Sequence, residues 1–67
     1  MGTFYRVYAK FEGQTKFKPV DLSTGQQVTN LIHATMVSQS RLYDLKSYLD
    51  EVKQDQPEIE FKLKRIK

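Results

Sequence analysis

Toward its C-terminal end the chain changes hydrophobic period once, and that change limits what it can fold into. Between Ser38 and Gln56 the apolar residues Leu42, Leu45, Leu49 and Val52 recur at helical spacing. From Pro57 onward Ile59, Phe61 and Leu63 alternate with Glu58, Glu60, Lys62 and Lys64, the period of a half-buried strand. An amphipathic helix must lay its apolar stripe on something, and a one-faced strand must pair and pack. Together they predict an α+β domain in which one helix covers one face of a sheet.

The upstream residues supply the rest of that sheet. Thr3 to Phe11 alternates Tyr5, Val7, Ala9 and Phe11 with Phe4, Arg6, Tyr8 and Lys10, which predicts a first strand. Glu12-Gly13-Gln14 predicts a tight turn with a positive φ at Gly13, returning a second strand over Lys16 to Leu22. Pro19 has no N–H, so that strand needs a bulge or an outward-facing position there. Ser23-Thr24-Gly25 is a further turn signal, Gln26 to Asn30 reads as loop or strand, and Leu31 to Val37 predicts a third strand. Ser38 is the expected helix N-cap, with Val37 and Leu42 at hydrophobic-staple spacing, and Pro57 ends the helix by forcing Gln56 out of helical geometry. The order is β-β-β-α-β, a single domain over residues 1–67 with a four-stranded mixed sheet. The three-stranded meander is expected to carry the fourth strand beside the first, reached by a helical crossover of the kind that joins parallel strands.

With 67 residues and no cysteine, the chain has no disulfide, thiolate metal site or thiol nucleophile to draw on. So small a core is marginal, which predicts self-association as a homodimer. The first dozen residues mix apolar and charged positions, unlike a signal peptide, and no apolar run approaches the ~20 residues that span a bilayer. A cytoplasmic protein with no membrane partner is the expectation. Net charge is +3, from 11 Lys and Arg against 8 Asp and Glu. The cations crowd the predicted strands, while Asp44, Asp50, Glu51 and Asp55 make the helix slightly acidic.

Catalytic patterns are missing. His33 is the one histidine, and no carboxylate stands at ligand spacing to it within a helix or turn. Ser38, His33 and Asp21 compose a triad on paper only, since no Gly-x-Ser-x-Gly elbow is present. No Gly-rich phosphate loop occurs among the three glycines. Glu58 and Glu60, flanked by Lys62 and Lys64, read as the solvated stripe of a strand. The expectation is a non-catalytic protein without cofactor or metal.

The helix covers one sheet face and leaves the other open. If Tyr5, Val7, Ala9, Phe11, Ile32, Ala34, Met36, Ile59, Phe61 and Leu63 meet the helix, the open face carries Phe4, Arg6, Tyr8, Lys10, Lys16, Lys18, His33, Thr35, Lys62 and Lys64. The predicted binding residues are Phe4, Arg6, Tyr8, Lys10, Lys16, Lys18, Lys62 and Lys64. Cations interleaved with flat rings suit DNA or RNA, because cations neutralise phosphates and rings stack on bases. The same residues equally suit a dimer interface, or a plain solvated surface with lysines that discourage edge aggregation.

The run Phe4-Tyr5-Arg6-Val7-Tyr8-Ala9-Lys10-Phe11-Glu12-Gly13, followed by Lys16-Phe17-Lys18, Asp21, Gly25, Val28, Asn30-Leu31-Ile32 and Ala34-Thr35, resembles short uncharacterised proteins of phages and mobile elements of Gram-positive bacteria. That resemblance implies an accessory protein, either a nucleic-acid binder or an inhibitor of a host or phage-defence protein. The architecture is also similar to the three-strand-plus-helix DNA-binding arm domains of transposon integrases, from which the predicted fourth strand departs. Nucleic acid on the open face is the first expectation, and surface contact with a host or defence protein the alternative.

Overall fold

Phe4–Lys10 forms β1, the strand that three of the others pair with in a computed structural model that describes residues 2–66. One edge of β1 is occupied along its length by β5, Glu60–Arg65, in a register running from Tyr5 opposite Arg65 to Lys10 opposite Glu60. The other edge is shared. β2, Lys18–Asp21, pairs with Tyr8 and Ala9, while β4, Met36–Ser38, pairs with Phe4, Tyr5 and Arg6. The two-residue β3, Gln26–Gln27, extends the sheet beyond β2. Every paired ladder is antiparallel. The helix α1, Leu42–Asp55, carries the chain across one face from β4 to β5. These two strands run in the same direction, as a helical crossover demands, but β1 lies between them. The sheet is therefore antiparallel throughout and not mixed as expected, because the crossover passes over β1 instead of joining neighbouring strands. The fourth predicted strand does lie beside the first.

Val7 and Ala9 are fully buried and Val20 is 1% exposed; Phe11, Leu22, Leu45, Ile59, Phe61 and Leu63 pack around them. Leu49 is buried on α1. β2 and β4 meet end to end at Thr35. Its N–H donates to Val20 O (3.0 Å), its carbonyl accepts from Val7 N–H (3.1 Å), and its Oγ1 accepts from Leu22 N–H (2.8 Å). Val7 thus turns its backbone groups toward the shared edge, whereas Ile66 N–H reaches Phe4 O at 3.0 Å on the β5 side. The alternation settles Pro19. It stands opposite Tyr8, whose backbone groups face β5, so the absent N–H leaves the β1 ladder intact, and Pro19 O instead accepts from Val28 N–H (2.9 Å). Gly13 takes the expected positive φ of 85°, and Gly25 closes the second turn at 73°.

Gln27 fastens the far end. Its Nε2 donates to Ala9 O (3.0 Å), and its amide pairs reciprocally with that of Gln14 (2.7 and 2.8 Å), while Gln14 Oε1 also accepts from Phe11 N–H (2.8 Å). Asp21 organises the following turn. Its Oδ1 accepts from Ser23 N–H (2.9 Å) and Ser23 Oγ (2.6 Å).

The third predicted strand is the main departure. Leu31–His33 is a 3₁₀ turn, with Asn30 Oδ1 accepting from Ile32 N–H (3.1 Å), and the strand begins only at Met36. An Asn side chain that satisfies local backbone donors competes with a ladder, and here it wins. The turn resets the alternation. Met36 stands opposite Arg6 on the face away from the helix and is 56% exposed, Val37 pairs with Tyr5 on the helix side, and Ile32 is 80% exposed. Ile32 and Met36 therefore leave the expected core, while Ala34 stays buried. Ser38 does not cap α1. A second 3₁₀ turn, Gln39–Arg41, intervenes; Ser38 makes no capping bond, and its Oγ lies 2.9 Å from Ser40 Oγ.

Truncating Leu45 or Leu49 to Ala should cost ~2–5 kcal/mol, a large part of the stability of so small a domain, and calorimetry at neutral pH should show the melting point fall by many degrees. Thr35→Val keeps the shape but strands Leu22 N–H, so it should lose about 1–3 kcal/mol where Thr35→Ser loses much less. The bonds from Ser23, aided by charge attraction from His33, hold the Asp21 carboxyl below its usual range. A depressed carboxylate stabilises the fold above the unfolded value of about pH 3.9, and that contribution is lost as pH falls through the lower folded value. Denaturant melts at pH 7 and pH 3 should therefore differ less in Asp21→Asn than in the parent.

Candidate nucleic-acid interface

The face of the sheet away from α1 is built by register. Residues directly opposite each other on antiparallel strands share a face, so Arg6 with Lys64, Tyr8 with Lys62 and Lys10 with Glu60 stand together across the β1–β5 ladder. Phe4 and Met36 extend the face at the β4 end. The helix side takes the alternate residues, Val7 with Leu63 and Ala9 with Phe61.

Phe17 joins the face from the segment before β2. Lys10 Nζ lies 5.3 Å and Lys62 Nζ 5.7 Å from the centre of its ring, both within cation–π reach. Lys10 Nζ also pairs with Glu60 Oε2 at 3.1 Å. Beside this cluster Tyr8, Phe17, Lys62 and Lys64 line a shallow open cleft of about 180 Å³. Two rings and two ammonium groups thus share one depression. Arg6 Nε is buried in the face and has no hydrogen-bond partner, a donor without an acceptor. The cations Arg6, Lys10, Lys62 and Lys64 outnumber the one acid among these residues, Glu60. On the other layer α1 carries Asp44, Asp50, Glu51 and Asp55 against Lys46 and Lys53. The polarity expected of the molecule is present across its two layers.

Of the predicted binding residues, Phe4, Arg6, Tyr8, Lys10, Lys62 and Lys64 come together on this face. Lys18 does not. It stands opposite Ala9 and alternates in step with buried Val20, so it lies on the helix side. Lys16 sits in an exposed bend before β2, outside the sheet. His33 and Thr35 leave the face as well, His33 to the exposed 3₁₀ turn and Thr35 to the junction of β2 and β4. A second strand starting at Lys16 gives Phe17 no place on this face; with β2 starting at Lys18, Phe17 belongs to the approach to the strand and folds over the face. The alternation Lys16-Phe17-Lys18 held a signal of this, an aromatic between cations next to a turn.

Among the described residues no group of His and carboxylate side chains is arranged to hold a metal ion, and no helix is long and apolar enough to cross a membrane. Glu60, on the solvated stripe of the last strand, is engaged with Lys10. Compared with protein-family models, with curated protein sequences and with solved structures, the chain matches none.

Proposed function

We propose that this chain is a small non-catalytic binding protein that takes single-stranded nucleic acid, DNA or RNA, on the open face of its sheet. The observation that carries the reading is the cleft where Tyr8 and Phe17 stand beside Lys62 and Lys64. A planar base stacks on an aromatic face whatever its sequence, and the flanking ammonium groups meet the phosphates on either side. Arg6, with an unsatisfied Nε, adds a cation along the same ladder. Sequence-independent binding is the natural outcome of this chemistry, since nothing in it requires a particular base edge. Taken with the resemblance noted above, the reading is of an accessory protein of a phage or mobile element acting in the cytoplasm.

One observation favours a second reading. Phe4, 40% exposed, and Met36, 56% exposed, lie on the same face, and apolar side chains there suit contact with a protein. That partner is a host or phage-defence protein inhibited by surface contact.

Filter binding of single-stranded oligonucleotides at two salt concentrations separates the two. Affinity should fall steeply with salt, and Arg6→Gln should lower the salt slope by about one. Tyr8→Ala and Phe17→Ala should each cost ~1–3 kcal/mol on single strands and less on duplex. Lys18→Gln, which removes an equal charge from the helix side, should leave binding nearly unchanged. No affinity at low salt, or equal damage from Lys18→Gln and Arg6→Gln, overturns the nucleic-acid reading in favour of the protein partner.

A further inference from the structure

β5 is an edge. Its inner side is paired with β1, and among the described residues no strand lies on its outer side. Because Ile66 N–H bonds to Phe4 O and the register keeps Lys64, Lys62 and Glu60 in step with it, those residues turn their backbone groups inward, and Phe61 and Leu63 turn theirs out. Next to this edge a groove of about 450 Å³ runs between α1 and β5, lined by Lys46, Leu49, Asp50, Lys53, Phe61 and Leu63. An edge with no strand on its outer side among the described residues, beside a groove to which Leu49, Phe61 and Leu63 contribute apolar surface, is a template for another strand.

The sequence of the edge says which strand. Residues 58–64 read Glu-Ile-Glu-Phe-Lys-Leu-Lys. Laid antiparallel against itself about Phe61, this segment sets Glu60 opposite Lys62 and Glu58 opposite Lys64. Ile59 falls opposite Leu63, and Phe61 opposite Phe61. Every charged position meets its opposite, every apolar position meets an apolar one, and the backbone groups that face outward are those this register uses. We propose that the occupant of the β5 edge is a second copy of this chain, paired through β5 about a two-fold axis at Phe61. The interface is isologous, so each favourable pair occurs twice.

The neighbouring registers are worse. Centred on Lys62, the strand sets Lys62 against Lys62; centred on Leu63, it sets Lys62 against Lys64 on both sides of the axis. Like charges directly opposite destabilise a ladder, so the charge pattern selects the register about Phe61. There the Phe61 residues exchange N–H···O bonds, and Leu63 N–H donates to the Ile59 carbonyl of the other copy. Ile59 N–H is already used, donating to Gln56 O at 3.1 Å. Glu60 keeps Lys10 on its own protomer and gains Lys62 of the second copy. The two sheets become one, with the groove on each side closed by apolar residues of the other copy and the two basic open faces side by side.

The inference does not rest on the nucleic-acid reading, and it is tested without nucleic acid. Sedimentation equilibrium of the full chain across the micromolar range should show a reversible monomer–dimer equilibrium. Glu60→Lys and Lys62→Glu, each placing like charges opposite on both sides of the axis, should weaken it at least about tenfold. Together in one chain they restore opposite charges and should return the affinity to within a few-fold of the parent. Amide exchange of the unmodified protein supplies a second readout, with Phe61 and Leu63 N–H slowing as concentration rises and Lys62 and Lys64 N–H unchanged. A monomer throughout overturns the proposal. So does a dimer indifferent to the single reversals, a double variant that stays weak, or concentration-dependent protection that maps to Phe4 and Met36.

Discussion

One side of β1 is claimed by two strands, and the sheet depends on how that claim is divided. β4 takes Phe4 to Arg6 and β2 takes Tyr8 and Ala9, which leaves Val7 between them with a backbone donor pointing into the gap. Thr35 fills it. Its carbonyl receives Val7, its N–H reaches Val20, and its hydroxyl receives Leu22, so one residue satisfies groups from both halves of the sheet. A buried backbone donor without a partner costs about 1–3 kcal/mol, a serious loss in a domain whose stability is a few times that. Around this junction Val7, Ala9 and Val20 reach near-complete burial, and the helix can lie across a continuous apolar surface.

From that division follows the character of the two free surfaces. With β2 and β4 on one side, β5 alone covers the other side of β1 and becomes an edge, and its register with β1 brings Lys62 and Lys64 beside Tyr8 and Arg6. The same alternation that turns half-buried Phe61 and Leu63 to the helix side exposes the lysines on the far face. The proposed nucleic-acid surface and the proposed self-pairing edge are thus two consequences of one strand. Lys62 serves both, through the Phe17 cluster on the face and through Glu60 of the second copy along the edge. Pairing at β5 would leave the face open and double its length, which for a sequence-independent binder extends the run of phosphates within reach.

Phe17 shows how a site of this kind is assembled. It belongs to no strand, yet two ammonium groups approach its ring, and it closes one side of the depression that it shares with Tyr8, Lys62 and Lys64. Each cation–π contact at an exposed site is worth about 0.5–1 kcal/mol. Such contacts are too weak to dictate the fold, but sufficient to hold a ring in place once β1 and β5 have positioned the lysines.

The sequence by itself determined the helix, β1, β5, the Gly13 turn and the facing of the β1–β5 ladder. Each is a run long enough for its period to be unambiguous, with Pro57 as a hard stop. Six of the eight predicted binding residues fall on one face for that reason, since a period of two leaves no choice once the core side is known. The tertiary structure decided what short polar segments do. Leu31 to Val37 has the pattern of a strand, but Leu31-Ile32-His33, capped by Asn30, forms a 3₁₀ turn instead, which shifts the alternation and exchanges Met36 for Val37. The start of β2 likewise puts Lys18 on the helix side and Phe17 over the open face. In both segments local propensities are nearly balanced; Asn30 holds the 3₁₀ turn locally, while the bonds that tie Thr35 to Val7, Val20 and Leu22 come from residues far away in the chain that no local pattern records.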